Sequence, residues 1–188
     1  FFQRWISSTA EVLDVGAGRC AFINNVQASR KVAFDANPSV SDYCAPEVEF
    51  FEGTDLSAAK FQRKFDIIFV SNFLEHLRNS DEVLTLLGQI RDLLKPSGQI
   101  LILQPNFSLI GGQYFDFIDH KTILTDRSLV EALELTGYKV CYLKKRFLPY
   151  TSKSSLPQSP WLVRLYLLIP LAHYFLGKQT FVVATPDG

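Results

Sequence analysis

The run Glu11-Val12-Leu13-Asp14-Val15-Gly16-Ala17-Gly18 constrains the fold more than any other feature of this chain. An apolar strand that enters a two-glycine turn is followed by a second apolar run, Val32-Ala33-Phe34, which closes on the acidic residue Asp35. A glycine turn with a carboxylate one strand later is how open α/β sheets hold a ribosyl cofactor.

Glycine spacing leaves the cofactor open, because Gly16-Ala17-Gly18-Arg19-Cys20-Ala21 also satisfies a permissive G-x-G-x-x-A dinucleotide pattern. Asp14 shifts the balance. It stands two residues before the first glycine, where a pyrophosphate-binding turn normally carries an apolar side chain, and a carboxylate there repels phosphate. A cationic ligand without phosphate suits an acidic turn. An ordinary ligand-free strand-turn-helix is the plain alternative.

With 188 residues the chain is long enough for one good core and short for two, so a single domain spanning 1–188 is expected. Lys+Arg and Asp+Glu balance at 19 each, which argues against a global grip on DNA or RNA. The cysteines Cys20, Cys44 and Cys141 are odd in number and lack a C-x-x-C pair, so a reducing, cytoplasmic setting without structural zinc is expected. No secretory leader is legible in Phe1-Phe2-Gln3-Arg4-Trp5-Ile6, and a chain without Met reads as lacking N-terminal residues. Trp161–Leu176 is too short and too interrupted to span a bilayer. Core packing is the favoured reading of it, with an interfacial helix in peripheral membrane contact or a lid as alternatives.

From Glu11 onward apolar runs alternate with helical segments, the pattern of a mostly parallel sheet covered on both faces. Strands are expected near 11–16, 31–36, 48–53, 65–71, 98–104, 138–147 and 179–185, and helices near 2–8, 20–29, 82–95 and 126–136. Asp81 is the expected N-cap of the third helix and Thr125 or Asp126 that of the fourth, which Gly137 ends. Lys95-Pro96-Ser97-Gly98 is a stop signal.

Taken together, Asp14-Val15-Gly16-Ala17-Gly18, Phe34-Asp35-Ala36-Asn37-Pro38, Thr54-Asp55-Leu56, Ser71-Asn72-Phe73-Leu74-Glu75-His76 and Leu94-Lys95-Pro96-Ser97-Gly98 resemble, in order, the motifs of the class I S-adenosylmethionine (SAM)-dependent methyltransferases. The resemblance covers roughly Glu11 to Thr185. It implies a Rossmann-like, doubly wound, seven-stranded sheet whose last strand is antiparallel between the fifth and sixth. It also implies SAM as cofactor, held by Asp14, Gly16, Ala17, Gly18, Asp35 and Ala36 at the turn and ribose, Asp55 at the adenine, and Ser71, Asn72 and Phe73 at the methionine end. Asp55 as a helix cap is the plainer reading of that residue. Cys20 departs from the family by occupying the place of a third turn glycine. Some relatives bind magnesium through Glu-x-x-Glu-His, but Asn72 replaces the first Glu here, so no metal is expected.

Methyl transfer requires alignment and exclusion of water, and a base only where the acceptor must lose a proton. His120 is the expected catalytic base, oriented by Asp116 and Asp119, with Tyr114 and His76 also lining the acceptor site. Lys144-Lys145-Arg146, with Lys153 and Arg164, suggests a phosphate-bearing acceptor, although solvated charges explain it better. The expected activity is methylation of a small molecule, lipid-like or glycosyl, beneath a cap formed by 149–178. A catalytically inactive SAM-binding module and a nicotinamide-dependent oxidoreductase are the competing readings.

Overall fold

The computed structural model describes residues 1–61, 64–150 and 159–187. Seven strands form one sheet: β1 (Glu11–Val15), β2 (Arg30–Asp35), β3 (Val48–Glu52), β4 (Phe65–Ser71), β5 (Leu94–Pro105), β6 (Tyr138–Lys144) and β7 (Gln179–Pro186). Their order is β3-β2-β1-β4-β5-β7-β6. Strands β1 to β5 pair in parallel, and β7 runs antiparallel between β5 and β6, as expected. The order reverses beside β1, so the crevice beyond the carboxyl ends of β1 and β4 is the site the topology offers a ligand.

The sheet is buried on both faces because its central strands are apolar at successive positions, and the period of two sorts them. Leu13, Val15, Ile68, Val70, Ile100 and Ile102 face one core, where they meet α2 (Ser80–Leu93) and α4 (Asp126–Leu135). Val12, Phe69, Leu101, Phe181 and Val183 face the other, beneath α1 (Ala21–Asn25) and a 3-10 turn at Phe2–Trp5.

Helix α4 starts at Thr125, whose hydroxyl and that of Ser128 close a reciprocal capping box. Gly137 follows with φ +78°. The cap of α2 is Asn79 rather than Asp81: its side chain accepts the Glu82 amide at 3.0 Å, which leaves Asp81 in the first turn where the helix dipole favours it. The expected helices at 2–8 and 20–29 shrink to single turns. In the second, Ile23-Asn24-Asn25-Val26 has low helix propensity, and the Asn24 side chain is recruited by the Tyr43 carbonyl and Ala45 amide instead. The Lys95–Gly98 turn is a bulge within β5, where pairing jumps from Phe65↔Leu94 to Ile67↔Gln99.

Trp161–Leu176 forms two helices, α5 (Pro160–Leu168) and α6 (Pro170–Leu176), divided at Pro170. The core-packing expectation holds for one face only: Leu167 packs against the core and His173 is buried, whereas Trp161, Leu168, Leu171, Tyr174 and Phe175 are exposed. Among the described residues no helix is long and apolar enough to cross a membrane. Lys153 lies outside the described residues.

Candidate functional site

Strand β1 ends in a turn that glycine makes possible. Gly16 and Gly18 have φ +69° and +53°, conformations that cost an L side chain about 1–2 kcal/mol. The Gly16 and Ala17 amides both point at the Phe34 carbonyl, at 2.9 and 3.3 Å, which ties the turn to the end of β2. Cys20, in the place of a third glycine, takes the left-handed conformation as well, at φ +55°. Its buried side chain lies 3.2 Å, sulfur to sulfur, from Cys44, a proximity that their separation in sequence hides. The thiol of Cys20 is pushed up by burial first and by Cys44 second.

Asp35 holds the turn from the neighbouring strand. Its two carboxylate oxygens accept the Gly18 amide at 3.0 Å and the Asn37 amide at 2.9 Å. Asp14 is buried beneath the turn at 3% exposure. Burial pushes its carboxyl up to about 8, with the amide of Ile23 opposing the shift and the charge of Asp35 adding to it. Asp14 thus fastens α1 to β1, and its burial favours the protonated acid.

A cavity of about 610 Å³ opens at this turn, lined by Asp14, Gly16, Ala17, Gly18, Ser71 and Asn72 of the expected cofactor residues. This size is ordinary for a small-molecule site. Phe1, Phe2, Phe22, Phe69 and Leu103 supply an apolar wall that motif reading missed, because it comes from elements that meet only across the sheet. Asn72 follows β4 with φ +49°, its side-chain amide donating to Ser71 Oγ at 3.0 Å. Neither Asp35 nor the exposed Ala36 beside it lines the cavity, although Asp35 holds the amide of Gly18, which does.

Phe73 and Asp55 are placed differently from expectation. The Phe73 ring lies against Gly16, outside the cavity lining. Asp55 accepts the amide and hydroxyl of Ser57 and the Gln89 side chain, bonds that hold its carboxyl below the usual range. These contacts close a local turn at Asp55–Ser57 and tie it to Gln89 on α2; among the described residues no helix follows before β4, so Asp55 is not the helix cap of the plainer expectation.

A second constellation forms beyond β4. The Glu75 carbonyl accepts the amides of Lys121 and Thr122, clamping the segment after β4 to the loop after β5. This brings Glu75, His76 and His120 together, with their ligand atoms all within 4.8 Å of one another. Glu75 is 1% exposed, and among the described residues its Oε2 has no hydrogen-bond partner. Burial is the chief cause that pushes its carboxyl up to about 7. His120 stacks on Phe117, with centroids 4.9 Å apart, and has the rings of Tyr114 and His76 at 4.6 and 5.2 Å. Two donors of a Glu-x-x-Glu-His pattern are thus joined by a distant imidazole, whereas Asn72 turns to Ser71.

Two expected roles change. Asp119 pairs with His76, Oδ2 to Nδ1 at 3.2 Å, rather than orienting His120. Tyr114 is fully buried and its hydroxyl donates to the Thr122 carbonyl, so it braces the loop instead of lining a pocket. Asp116 is exposed. Lys144, Lys145 and Arg146 diverge: Lys144 lies over Phe147, Lys145 bridges to Asp126 at 3.0 Å, and Arg146 donates to the Tyr174 carbonyl.

The profile of a family described as "Methyltransferase domain" matches residues 1–143. A search among curated proteins returns no match. Solved structures share the fold. A provisionally assigned methyltransferase from Bacillus halodurans C-125 superposes with TM-score 0.69 at 16% identity, over 96% of this chain and 94% of that one. A SAM-dependent methyltransferase from Archaeoglobus fulgidus gives TM-score 0.67 at 20% identity, over 98% and 90%. The DhpI complex with S-adenosylhomocysteine (SAH) gives 0.64 at 16%, over 94% and 76%.

Proposed function

The chain belongs to this methyltransferase-domain family, and from that premise we propose that it transfers a methyl group from SAM to a small-molecule acceptor of lipid-like or glycosyl character. The observation that carries the reading is the cavity at the carboxyl ends of β1 and β4, with a buried carboxyl at its floor and a glycine turn at its rim.

The residues fit the cofactor. Asp14 matches the ammonium and sulfonium of SAM, since a cation beside it favours the ionised carboxylate. Asp35 has further lone pairs for ribose hydroxyls while its amide contacts keep the turn in shape. Ser71 and Asn72 supply polar groups at the other end. A dinucleotide fits less well, because α1 is a single turn (Ala21–Asn25) and offers little dipole to a pyrophosphate. When bound, SAM supplies an electrophilic methyl group on sulfur.

The chain's own contribution is alignment, exclusion of water by the Phe1, Phe2 and Phe22 wall, and handling of the acceptor's proton. His120 is our candidate base, held by stacking on Phe117 and joined by Glu75 and His76, which can relay the proton onward. Asp116, Asp119 and His76 stand around it as candidate acceptor contacts. We read 1–188 as a single domain, with 149–178 as its cap. Free Cys20, Cys44 and Cys141 suit a reducing cytoplasm.

Calorimetric titration with SAM, SAH and NAD tests the assignment. Binding of the first two alone supports it; NAD binding alone overturns it. SAM binding without turnover on any acceptor would instead identify an inactive SAM-binding module.

A further inference from the structure

The charges of this chain are segregated. Residues 135–186 contain seven Lys or Arg and no Asp or Glu, although the whole chain is neutral. Within that stretch lie α5 and α6, and their outward faces carry Trp161, Leu165, Leu168, Leu171, Tyr174 and Phe175, with Leu168 78% and Phe175 68% exposed.

These exposed residues are not the docking face of the pair, because that face is already used. The Tyr166 hydroxyl donates to the Phe147 carbonyl, the Tyr166 and His173 rings stack at 4.6 Å, and Leu167 packs into the core beneath. What remains outward is apolar, aromatic at its ends and flanked by cations. Arg164 is exposed on α5 itself, and Arg146 sits against Tyr174. An amphipathic element of this kind lies in the headgroup region of an anionic bilayer, with Trp and Tyr at the polar boundary. A second copy of the chain fits poorly, since a two-fold contact would set cations against cations.

Strand β7 begins immediately after α6, with Gln179 opposite Pro105, and the Asn106 amide donates to the Lys178 carbonyl at 3.0 Å. At the other end of the connection, the Tyr150 ring lies 6.4 Å from His120. The helical pair is therefore mounted at the same carboxyl edge of the sheet as the site.

We propose that α5 and α6 are an interfacial anchor that seats this edge of the sheet on an anionic lipid bilayer. The anchor does not depend on the methyl-transfer reading, because lipid binding is measured without cofactor or acceptor.

Flotation of the full chain with vesicles of phosphatidylcholine, alone or with a one-third share of phosphatidylglycerol, tests it. Binding is expected to be roughly 10- to 100-fold stronger on the anionic vesicles, to fall with added salt, and to blue-shift Trp161 fluorescence in a Trp5→Phe background. Leu168→Glu with Leu171→Glu should abolish flotation while circular dichroism and Tm stay unchanged, and Arg164→Glu should weaken it. Absence of binding, equal binding to both compositions, or full binding by the double variant overturns the proposal. Light scattering that shows a dimer dissolved by the same double variant would also overturn it, by assigning the face to self-association.

Discussion

The Phe73 ring rests directly on Gly16: a β-carbon built on that glycine would lie 2.2 Å from Phe73 Cδ2. Two constraints meet at one residue, since Gly16 also holds φ +69°. Gly16→Ala should therefore destabilise the protein by about 2–4 kcal/mol, combining left-handed strain with overpacking. Urea denaturation measures the loss. Phe73→Ala in the same chain removes only the clash, so the double variant should recover part of the stability and leave the strain behind.

Asp14 predicts a particular pH dependence. Its carboxyl titrates near 3.8 in the unfolded chain and about 8 in the folded one. Between those values the folded state keeps a proton that the unfolded state has released, so stability should decline as pH rises through this interval. Asp14→Asn should flatten that part of the profile, as followed by Tm across buffers. Cofactor binding to the wild type near pH 7 should expel a proton, read as a heat that varies with buffer ionisation enthalpy; the variant should show none.

For Asp35 the structure separates two contributions. Asp35→Ala removes both backbone contacts and any ribose contacts, and should weaken SAM binding by about 1–3 kcal/mol. Asp35→Asn keeps one acceptor oxygen and should lie between it and the wild type. Calorimetry on both variants checks the order, and unchanged affinity in both would remove Asp35 from the cofactor site.

Substitution of His120 should separate chemistry from binding. In His120→Ala we expect kcat on a proton-bearing acceptor to fall by about 10²–10⁴-fold, with SAM affinity unchanged. Equal losses in both would make the residue structural.

The same cluster gives a chelator prediction. Activity should survive dialysis against EDTA, as a proton-handling role for Glu75, His76 and His120 requires. Activity lost to EDTA and restored by a divalent ion would make the three a metal centre.

What this sequence determined by itself is local. The glycine turn after β1, the Thr125 cap, the end of α2 just before Lys95–Gly98 and the alternation of buried side chains on β1, β4 and β5 rest on residues a few positions apart, where backbone sterics and short hydrogen bonds decide the outcome. The doubly wound sheet and the antiparallel last strand between the fifth and sixth were also legible, through resemblance to a known pattern of motifs. Tertiary structure alone decided what meets across longer loops. Glu75 joins His120 because its carbonyl clamps Lys121 and Thr122; Asp119 turns to His76; Tyr114 spends its hydroxyl on Thr122. It also decided which side of Trp161–Leu176 faces outward, with Leu167 and His173 turned to the core and Trp161, Leu168, Leu171 and Phe175 turned away from it. Hydropathy records that a segment is apolar, but which face meets the core depends on the space the other elements leave, and here the core beneath β5 and β7 was already filled by Phe1, Phe2, Phe147 and Phe181.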